Sequence, residues 1–225
     1  MAGAIAVIVG ASGGIGSALY NELSRQAEFD QVIALARPDI DLCDEASIAQ
    51  AATEMPSCSI RLIVNAAGFL HDGAQRPEKS LRQLDPTFLD RSFAVNAIGP
   101  ALLMKHFLPL LPRQGRAVFA SLSARVGSIG DNRLGGWYSY RASKAALNQL
   151  IHTAAIELAR THPEAVCVAL HPGTVETRLS APFVREGQPS LSSTRAAKHL
   201  LRVIARLRSA DSGGFFDWSG KPIPW

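Results

Sequence analysis

The stretch VIVGASGGIGSAL, residues 7–19, places four glycines within seven residues, between an apolar run and a helix-like stretch. Gly10 permits a tight turn, Gly14 lets backbone N–H groups approach a pyrophosphate, and Gly16 lets the helix pack close to the strand. The positive end of the helix then faces the phosphates. The spacing is Gly-x3-Gly-x-Gly, and its position after the first apolar run indicates a dinucleotide-binding turn.

Predicted strands and helices alternate along the rest of the chain. Continuous apolar runs such as AIAVIVG and AVCVALHPG predict strands that are buried on both faces, as in a parallel sheet covered by helices. The run DIDLCD suggests a short third strand. The segment DPTFLDRSFAVNAIGPALLMKHFLPLL predicts a long helix, kinked or loosened near Gly99-Pro100. The alternation predicts a single-domain α/β fold over residues 1–225, with a doubly wound, Rossmann-like parallel sheet.

Composition excludes several classes of protein. The 225 residues are 47% hydrophobic, which suffices for one sizeable core. The net charge of +4 is too mild and too evenly spread to suggest nucleic-acid binding. No apolar run reaches about 18 residues, so we expect no membrane span. The three cysteines, Cys43, Cys58 and Cys167, form no metal-ligand pattern; as small buried hydrophobes they fit a reducing cytoplasm.

A candidate site for proton transfer follows from the segment YSYRASK. Tyr140 and Lys144 are four residues apart on a predicted helix, so they share a face. An ammonium group beside a phenol favours the phenolate and lowers a reference pKa of about 10, so that the tyrosine exchanges protons near neutral pH. Ser123 ends the strand RAVFASLS, and its hydroxyl is expected over the carboxyl edge of the sheet, where ligands bind in open α/β folds.

Six motifs in this order resemble the short-chain dehydrogenase/reductase family over nearly the whole chain. They are GASGGIG, NAAG at Asn65–Gly68, VNAIGP at Val95–Pro100, Ser123, Tyr140-x3-Lys144 and HPGTVET at His171–Thr177. The stretches DNRLGGWYSYRASKAALN and GGFFDWSGKPIPW are similar to the C-factor/sniffer-type carbonyl reductase subgroup. The resemblance implies an NAD(P)-dependent oxidoreductase, most specifically an NADPH-dependent carbonyl reductase or alcohol dehydrogenase for a small ketone or aldehyde.

The resemblance also implies residue roles. Tyr140 would be the general acid in carbonyl reduction, and Ser123 would hydrogen-bond the substrate oxygen. Lys144 would bind the ribose hydroxyls and lower the pKa of the tyrosine, while Asn96 would hold a water in a proton relay with Lys144. The implied cofactor-binding residues are Gly10, Ser12, Gly13, Gly14, Ile15, Gly16, Arg37, Asp41, Leu42, Asn65, Ala66, Ala67, Gly68, Tyr140, Lys144, Pro172, Gly173, Val175 and Thr177.

The chain departs from the family pattern at two places. The family usually carries two adjacent serines after the fifth strand, whereas this chain reads Ser121-Leu122-Ser123-Ala124, so Ser121 is the alternative to Ser123. The family often has a full helix between its second and third strands, whereas only PDI separates Arg37 from Asp41. Arg37 stands where a 2′-phosphate would be recognised and favours NADP(H), but Asp39 leaves NAD(H) open.

Two questions stay open from the sequence. The first is whether the chain is a reductase or a non-enzymatic dinucleotide-binding protein used in signalling or regulation. The second is assembly: the family resemblance implies a homodimer or homotetramer through two apolar helices, and the alternative is that both helices are buried within a monomer. Trp137 caps the substrate cleft or packs at that interface. His71 and Asp72 are solvated or border the cleft, and His171 is structural or lines the pocket.

Overall fold

The computed structural model of the protein describes residues 3–56, 60–73, 75–183, 187 and 189–225. It contains one parallel sheet of six strands in the order β2-β1-β3-β4-β5-β6. The strands are β1 (Ile5–Val9), β2 (Gln31–Leu35), β3 (Ile60–Asn65), β4 (Ala117–Leu122), β5 (Ala165–His171) and β6 (Phe215–Asp217). The helices are α1 (Gly14–Leu23), α2 (Glu45–Thr53), α3 (Pro86–Phe93), α4 (Gly99–Phe107), α5 (Tyr138–Leu158) and α6 (Ser193–Arg206).

Helices cover both faces of the sheet, as a doubly wound fold requires. On one face, side chains of α2, α4 and α5, among them Leu103, Phe107 and Leu147, share a core with Val7 and Phe119 of the strands. On the other face, α1 and α6 pack against the alternate strand residues. Burial of the strands on both sides explains their continuous apolar runs. The predicted α/β doubly wound fold is confirmed.

The strand order places a crevice at the carboxyl edge of the sheet. Strand β1 lies between β2 and β3. The connection after β1 runs to one face of the sheet, and the connection after β3 runs to the other face. In open α/β sheets a crevice forms outside the carboxyl ends of the strands at such a reversal. The turn after β1 and the Asn65–Gly68 turn after β3 both lie at this point, and Ala66 N–H donates to the carbonyl of Val9 at 2.8 Å.

The predicted short strand in DIDLCD is wrong. Within these residues the Asp41 carboxylate accepts a hydrogen bond from Cys43 N–H at 2.9 Å, and the Asp44 carboxylate accepts one from Ala46 N–H to cap α2. Aspartates that bond the nearby backbone in this way favour turns and helix starts over a strand. Ile40 and Leu42 are nevertheless buried, which explains the strand-like apolar alternation.

The long helix predicted around Gly99-Pro100 is divided as expected. Between α3 and α4 the chain forms a wider, π-helical turn over residues 94–98, which ends immediately before Gly99. A β-carbon at Gly99 would lie 2.5 Å from the carbonyl oxygen of Leu42, so only glycine permits this close approach. π-helical turns within α-helices often occur at functional sites, and this one carries Asn96.

By length and apolar character, the helical segment Pro86–Leu110 would suffice to cross a membrane. In this structure its Leu103 and Phe107 have no exposed surface and belong to the core beneath the sheet, and helices buried in a protein core can have the same length and apolar character. Of the cysteines, Cys167 is buried as predicted, whereas Cys43 is exposed, so that prediction is wrong for Cys43; Cys58 lies outside the described residues.

Candidate active site

The glycine turn is shaped by close approaches of the backbone. Gly10 has a φ of +80°, and a β-carbon there would lie 2.6 Å from the amide nitrogen of Ala67. A β-carbon at Gly16 would lie 2.2 Å from the carbonyl oxygen of Gly10. Since real side chains do not tolerate such distances, both positions require glycine for the turn and for its contact with the loop after β3.

This turn fits a bound diphosphate. Gly13 is the N-cap of α1 and gives no side-chain cap, and Ser12, Gly13 and Gly14 are exposed. The first N–H groups of α1, including those of Gly14, Ile15 and Gly16, therefore have no partner within the helix and face outward with its positive end. A β-carbon at Gly14 would lie 3.0 Å from the Thr177 side chain, so the loop after β5 passes directly over the turn.

Arg37 lies at the sheet edge beside the glycine turn. It is exposed, two residues after the end of β2, and Gly10 N–H donates to the Leu35 carbonyl at 2.8 Å. In the described part of the chain no carboxylate, Asp39 included, lies within ion-pair distance of the Arg37 guanidinium. The guanidinium is therefore free to bind an anion at this edge.

Asp41 and Leu42 serve the backbone of the shortened connection. Asp41 N–H donates to the Ser47 hydroxyl at 2.9 Å, and its carboxylate caps Cys43. Leu42 is buried against Gly99 at the start of α4. The prediction that Asp41 and Leu42 bind the adenosine end of a cofactor stays a prediction.

The Asn65–Gly68 turn is held from within the sheet. The Asn65 side chain is fully buried; its amide donates to the Ser121 hydroxyl at 3.0 Å, and its oxygen accepts from Ala67 N–H at 3.1 Å. Ala66 and Ala67 thus present backbone rather than side-chain groups to the crevice. The Ser121 hydroxyl is buried in this contact, so it does not face the candidate site.

Asn96 connects the loop after β3 to α5. Its side chain is fully buried; the oxygen accepts from Phe69 N–H at 2.8 Å, and the amide donates to the Phe69 carbonyl at 2.8 Å and the Ser143 hydroxyl at 3.1 Å. A β-carbon at Gly68 would lie 3.5 Å from the Asn96 oxygen and 3.7 Å from Lys144 Nζ. Asn96, Gly68 and Lys144 are therefore neighbours, as the predicted relay requires.

Tyr140 and Lys144 lie on one face of α5, at its first turns. Lys144 Nζ lies 5.9 Å from the centre of the Tyr140 ring and donates to the Leu122 carbonyl at 2.8 Å. Burial raises the pKa of Tyr140 to about 12 and lowers the pKa of Lys144 to about 7. These directions are opposite to the lowered tyrosine pKa expected from the sequence, because desolvation disfavours both the phenolate and the ammonium.

The Ser123 hydroxyl has a partner other than Tyr140 and Lys144. It donates to the Asn148 side-chain oxygen at 2.7 Å, and both side chains are buried. Asn148 lies two helical turns after Tyr140, about 12 Å along the axis of α5. The Ser123 hydroxyl is therefore engaged within the interface of β4 and α5. Ala124, the next residue, has no group that could replace it.

The loop that follows β5 lies over the glycine turn at the carboxyl edge of the sheet. Gly173 has a φ of +84°, and a β-carbon there would lie 3.0 Å from Trp218. Val175 is buried and bridges Leu191 at the base of the loop. Pro172 and Thr177 flank these positions, and Thr177 reaches the glycine turn. All four predicted pocket residues of this loop, Pro172, Gly173, Val175 and Thr177, thus lie at the carboxyl edge of the sheet.

Aromatic rings stand beside Tyr140. The Trp137 ring centre lies 6.1 Å from that of Tyr140 and 5.3 Å from that of Phe183, which in turn lies 5.2 Å from that of His71. His71 Nε2 is also 3.1 Å from the Leu179 carbonyl. Trp137 therefore borders the cleft in this chain, and His71 joins it. Phe183 was missed because a lone aromatic in a loop carries no periodic signal.

Two further polar residues, a half-buried histidine and a buried glutamate, lie at the end of β5 and beside the start of α5. Burial lowers the pKa of His171 to about 4, with Arg125 adding to the effect, so the imidazole is neutral near pH 7. Its Nδ1 has no partner among the described residues. Glu78, which belongs to no motif in the sequence, is 3% exposed and contacts Ser139, next to Tyr140. No group of His, Cys, Asp and Glu able to hold a metal is found among the described residues.

The assembled edge has the parts for proton transfer next to a bound dinucleotide. The glycine turn offers N–H groups to an anion, and Tyr140 offers a protonated phenol whose hydroxyl has no hydrogen-bond partner among the described residues. Lys144 and Asn96 lie behind it. A substrate entering beside Trp137 would reach the phenol before any other acidic group described above.

Comparison with known proteins places the chain among oxidoreductases. Residues 4–211 match the family model described as enoyl-(acyl carrier protein) reductase. The chain is 36% identical to the C-signal protein of Myxococcus xanthus over 147 aligned residues. The aligned region covers 65% of this chain and 84% of that protein.

Two solved structures share the fold over almost the whole chain. The NADPH-bound carbonyl reductase from chicken fatty liver superimposes with a TM-score of 0.86 at 26% identity, over 98% of this chain and 94% of that one. The carbonyl reductase Sniffer of D. melanogaster superimposes with a TM-score of 0.83 at 23% identity, over 99% of each chain, which supports the fold alone.

Proposed function

Because the chain belongs to the short-chain dehydrogenase/reductase family of oxidoreductases, we propose that it is an NADPH-dependent carbonyl reductase for a small ketone or aldehyde. The observation that carries the proposal is the Tyr140–Lys144 pair, one turn apart on α5, at the sheet edge that also holds the glycine turn. Ligands bind at this edge in doubly wound folds.

In the proposed reaction, Tyr140, Lys144 and Asn96 have separate roles. When bound, the nicotinamide supplies the hydride. Tyr140 donates its phenolic proton to the carbonyl oxygen, and its high pKa keeps the proton in place until the oxygen becomes basic. Burial lowers the pKa of Lys144 to about 7, so this side chain takes up and passes on protons behind the tyrosine. Asn96 holds the loop after β3 against α5. In reverse, Tyr140 is the base.

We propose for Ser123 a different task from the one its sequence position suggests. Since its hydroxyl is held by Asn148, we assign Ser123 to fixing α5 on β4 and leave the substrate oxygen to Tyr140. This arrangement predicts a reductase that relies on its tyrosine for both the proton and the hydrogen bond to the carbonyl.

NADP(H) is the proposed cofactor. The exposed Arg37 guanidinium, unpaired among the described residues, suits a 2′-phosphate, whereas a carboxylate at that edge would suit the 2′-hydroxyl of NAD. The structural relative from chicken fatty liver contains NADPH, which supports the same choice. The free Cys43 and Cys167 thiols agree with a reducing, cytoplasmic location.

Steady-state consumption of NADPH tests the activity. The purified chain should oxidise NADPH in the presence of members of a panel of small aldehydes, ketones and diketones, with one alcohol formed per cofactor consumed. Controls lack the carbonyl compound or contain NADH instead. Absence of turnover with every compound, despite measurable NADPH binding, would contradict the reductase proposal.

The second candidate is a dinucleotide-binding signalling protein without turnover. The similarity to the C-signal protein favours it, as does the engagement of Ser123 away from the cleft. Both candidates retain the glycine turn, so cofactor binding does not separate them. The turnover assay does, because a protein that only binds would titrate with NADPH and consume none.

The chain is also proposed to form dimers through α4 and α5. Leu103 of α4 and Leu147 of α5 are buried in the core, but Leu150 of α5 and Ile98, in the π-helical turn just before α4, are exposed. Exposed apolar side chains on neighbouring helices are typical of subunit interfaces. Light scattering at micromolar concentration should therefore report twice the chain mass of 24.0 kDa, or a multiple of it.

A charge at this surface should break the dimer. Leu150→Asp is expected to yield 24.0 kDa particles at the same concentration, because an ionised carboxylate is costly to bury without a partner. Leu134→Asp, on an exposed loop, is the matched control and should leave the mass unchanged. A wild-type mass of 24.0 kDa would refute the proposed assembly.

A further inference from the structure

The start of α5 lacks a cap of its own. Its N-cap residue, Trp137, has a left-handed backbone with a φ of +53° and supplies no side-chain hydrogen bond. Gly135 and Gly136 before it have φ values of +64° each. The first N–H groups of a helix need acceptors from elsewhere, and an unbonded helix end frays. Tyr140 lies in this first turn, so its position depends on what holds the turn.

Glu78, in the loop between β3 and α3, supplies the missing acceptors. Its carboxylate accepts from Ser139 N–H at 3.2 Å with one oxygen and from the Ser139 hydroxyl with the other. Its backbone carbonyl accepts from Trp137 N–H. A carboxylate at the positive end of a helix is favourable in charge as well as in hydrogen bonding. At 3% exposure, this carboxylate has little access to water.

The turn before α5 is also held on its other side. The Arg141 guanidinium donates to the carbonyls of Gly135 at 3.1 Å, Gly136 at 2.9 Å and Val126 at 3.2 Å. A β-carbon at Gly136 would lie 3.3 Å from the Glu78 carbonyl oxygen, so the two segments are in contact. Arg141 fixes the turn to the segment that follows β4, and Glu78 fixes it to the loop that follows the Asn65–Gly68 turn.

We propose that Glu78 is a positioning residue for Tyr140: by capping α5 through Ser139, it sets the tyrosine against the substrate. This inference rests on the proposed reductase function. Catalytic groups displaced by about 1 Å commonly lose on the order of 100-fold in rate, so a frayed first turn would reduce the chemical step. The glycine turn is not part of this contact, and cofactor binding is expected to be independent of it.

Kinetics of three variants test the effect on catalysis. Glu78→Ala should lower kcat for carbonyl reduction by about 10- to 100-fold and leave the KM for NADPH unchanged. Glu78→Gln keeps one acceptor oxygen and should recover part of the loss. The control is Glu164→Ala, which removes a carboxylate that accepts from Gly115 N–H at 2.7 Å before β4; its kcat should equal that of the wild type.

Coupling to Ser139 distinguishes positioning from general loosening. Ser139→Ala should lower kcat in the same direction, and the double variant with Glu78→Ala should lose little beyond Glu78→Ala alone, because the two residues act through one contact. Additive losses, an unchanged kcat, or an equal worsening of the KM for NADPH would each overturn the proposal. Should Glu78→Ala not fold, Ser139→Ala and Glu78→Gln carry the same comparison.

Amide hydrogen exchange tests the cap without any turnover. The Ser139 N–H bonds to the Glu78 carboxylate, so Glu78→Ala should speed its exchange by about 10-fold or more, and Glu164→Ala should not. Unchanged exchange would overturn the capping contact itself. If the wild type reduces no carbonyl, the reductase function fails, and the exchange result still decides whether Glu78 holds α5.

Discussion

Tyr140→Phe should lower kcat for carbonyl reduction by at least about 100-fold, the lower end of what a positioned general acid supplies. The substitution keeps the ring, whose centre lies 6.1 Å from that of Trp137 and whose face is beside Lys144 Nζ. It removes the transferable proton. Because Ser123 is engaged with Asn148, no second hydroxyl identified at the site replaces the phenol. The measurement is steady-state NADPH oxidation with the best compound of the carbonyl panel.

Tyr138→Phe is the matched control for this loss. The same hydroxyl is removed two residues earlier on α5, where the side chain shares no helix face with Lys144. Its kcat should stay close to that of the wild type, and the Kd for NADPH should be equal in both variants. Near wild-type turnover by Tyr140→Phe would show that another group donates the proton.

The direction of the pKa shifts at this pair was not predictable from sequence spacing. The four-residue interval correctly placed Tyr140 and Lys144 on one face of α5. It carries no information about how much water reaches them, and in the structure desolvation decides: the tyrosine pKa rises to about 12 and the lysine pKa falls to about 7. A charged ligand bound at the crevice would change that balance.

The fold was more predictable than the site because burial leaves a pattern along the chain. Strands covered on both faces read as continuous apolar runs, and α1, α5 and α6 each follow or precede such a run. The failure at DIDLCD has a local cause. Ile40 and Leu42 are buried as strand residues would be, but the side chains of Asp41 and Asp44 accept hydrogen bonds from the nearby backbone, which favours a turn and a helix start over a strand.

The site was harder to predict because its side chains are aimed by partners distant in sequence. Ser123 was selected from its place at the end of a strand, yet its hydroxyl is bound by Asn148, 25 residues later. Glu78 lies 61 residues before Ser139 and carries no motif. Such partners become visible only when the loop and helix are seen together, which is why the positioning residue was missed and Tyr140 was not.

Arg37→Ala should weaken NADPH binding by roughly 10- to 150-fold, which corresponds to about 1.5–3 kcal/mol for one charge-assisted phosphate contact. NADH, which lacks the 2′-phosphate, should bind nearly as before. Arg37 is exposed and has no ion-pair partner among the described residues, so its removal breaks no ion pair within them. Fluorescence titration of both cofactors measures the two dissociation constants directly.

Salt dependence and a distant arginine sharpen this test. An exposed arginine–phosphate contact is screened by ions, so the difference between wild type and Arg37→Ala should shrink as NaCl is raised from low concentration to about 1 M. Arg25→Ala, just beyond the end of α1 at the opposite edge of the sheet, also removes one exposed positive charge and should leave both affinities unchanged. Equal losses for NADPH and NADH in Arg37→Ala, or a wild-type preference for NADH, would refute the assignment, because either result requires that this edge reads something other than the 2′-phosphate.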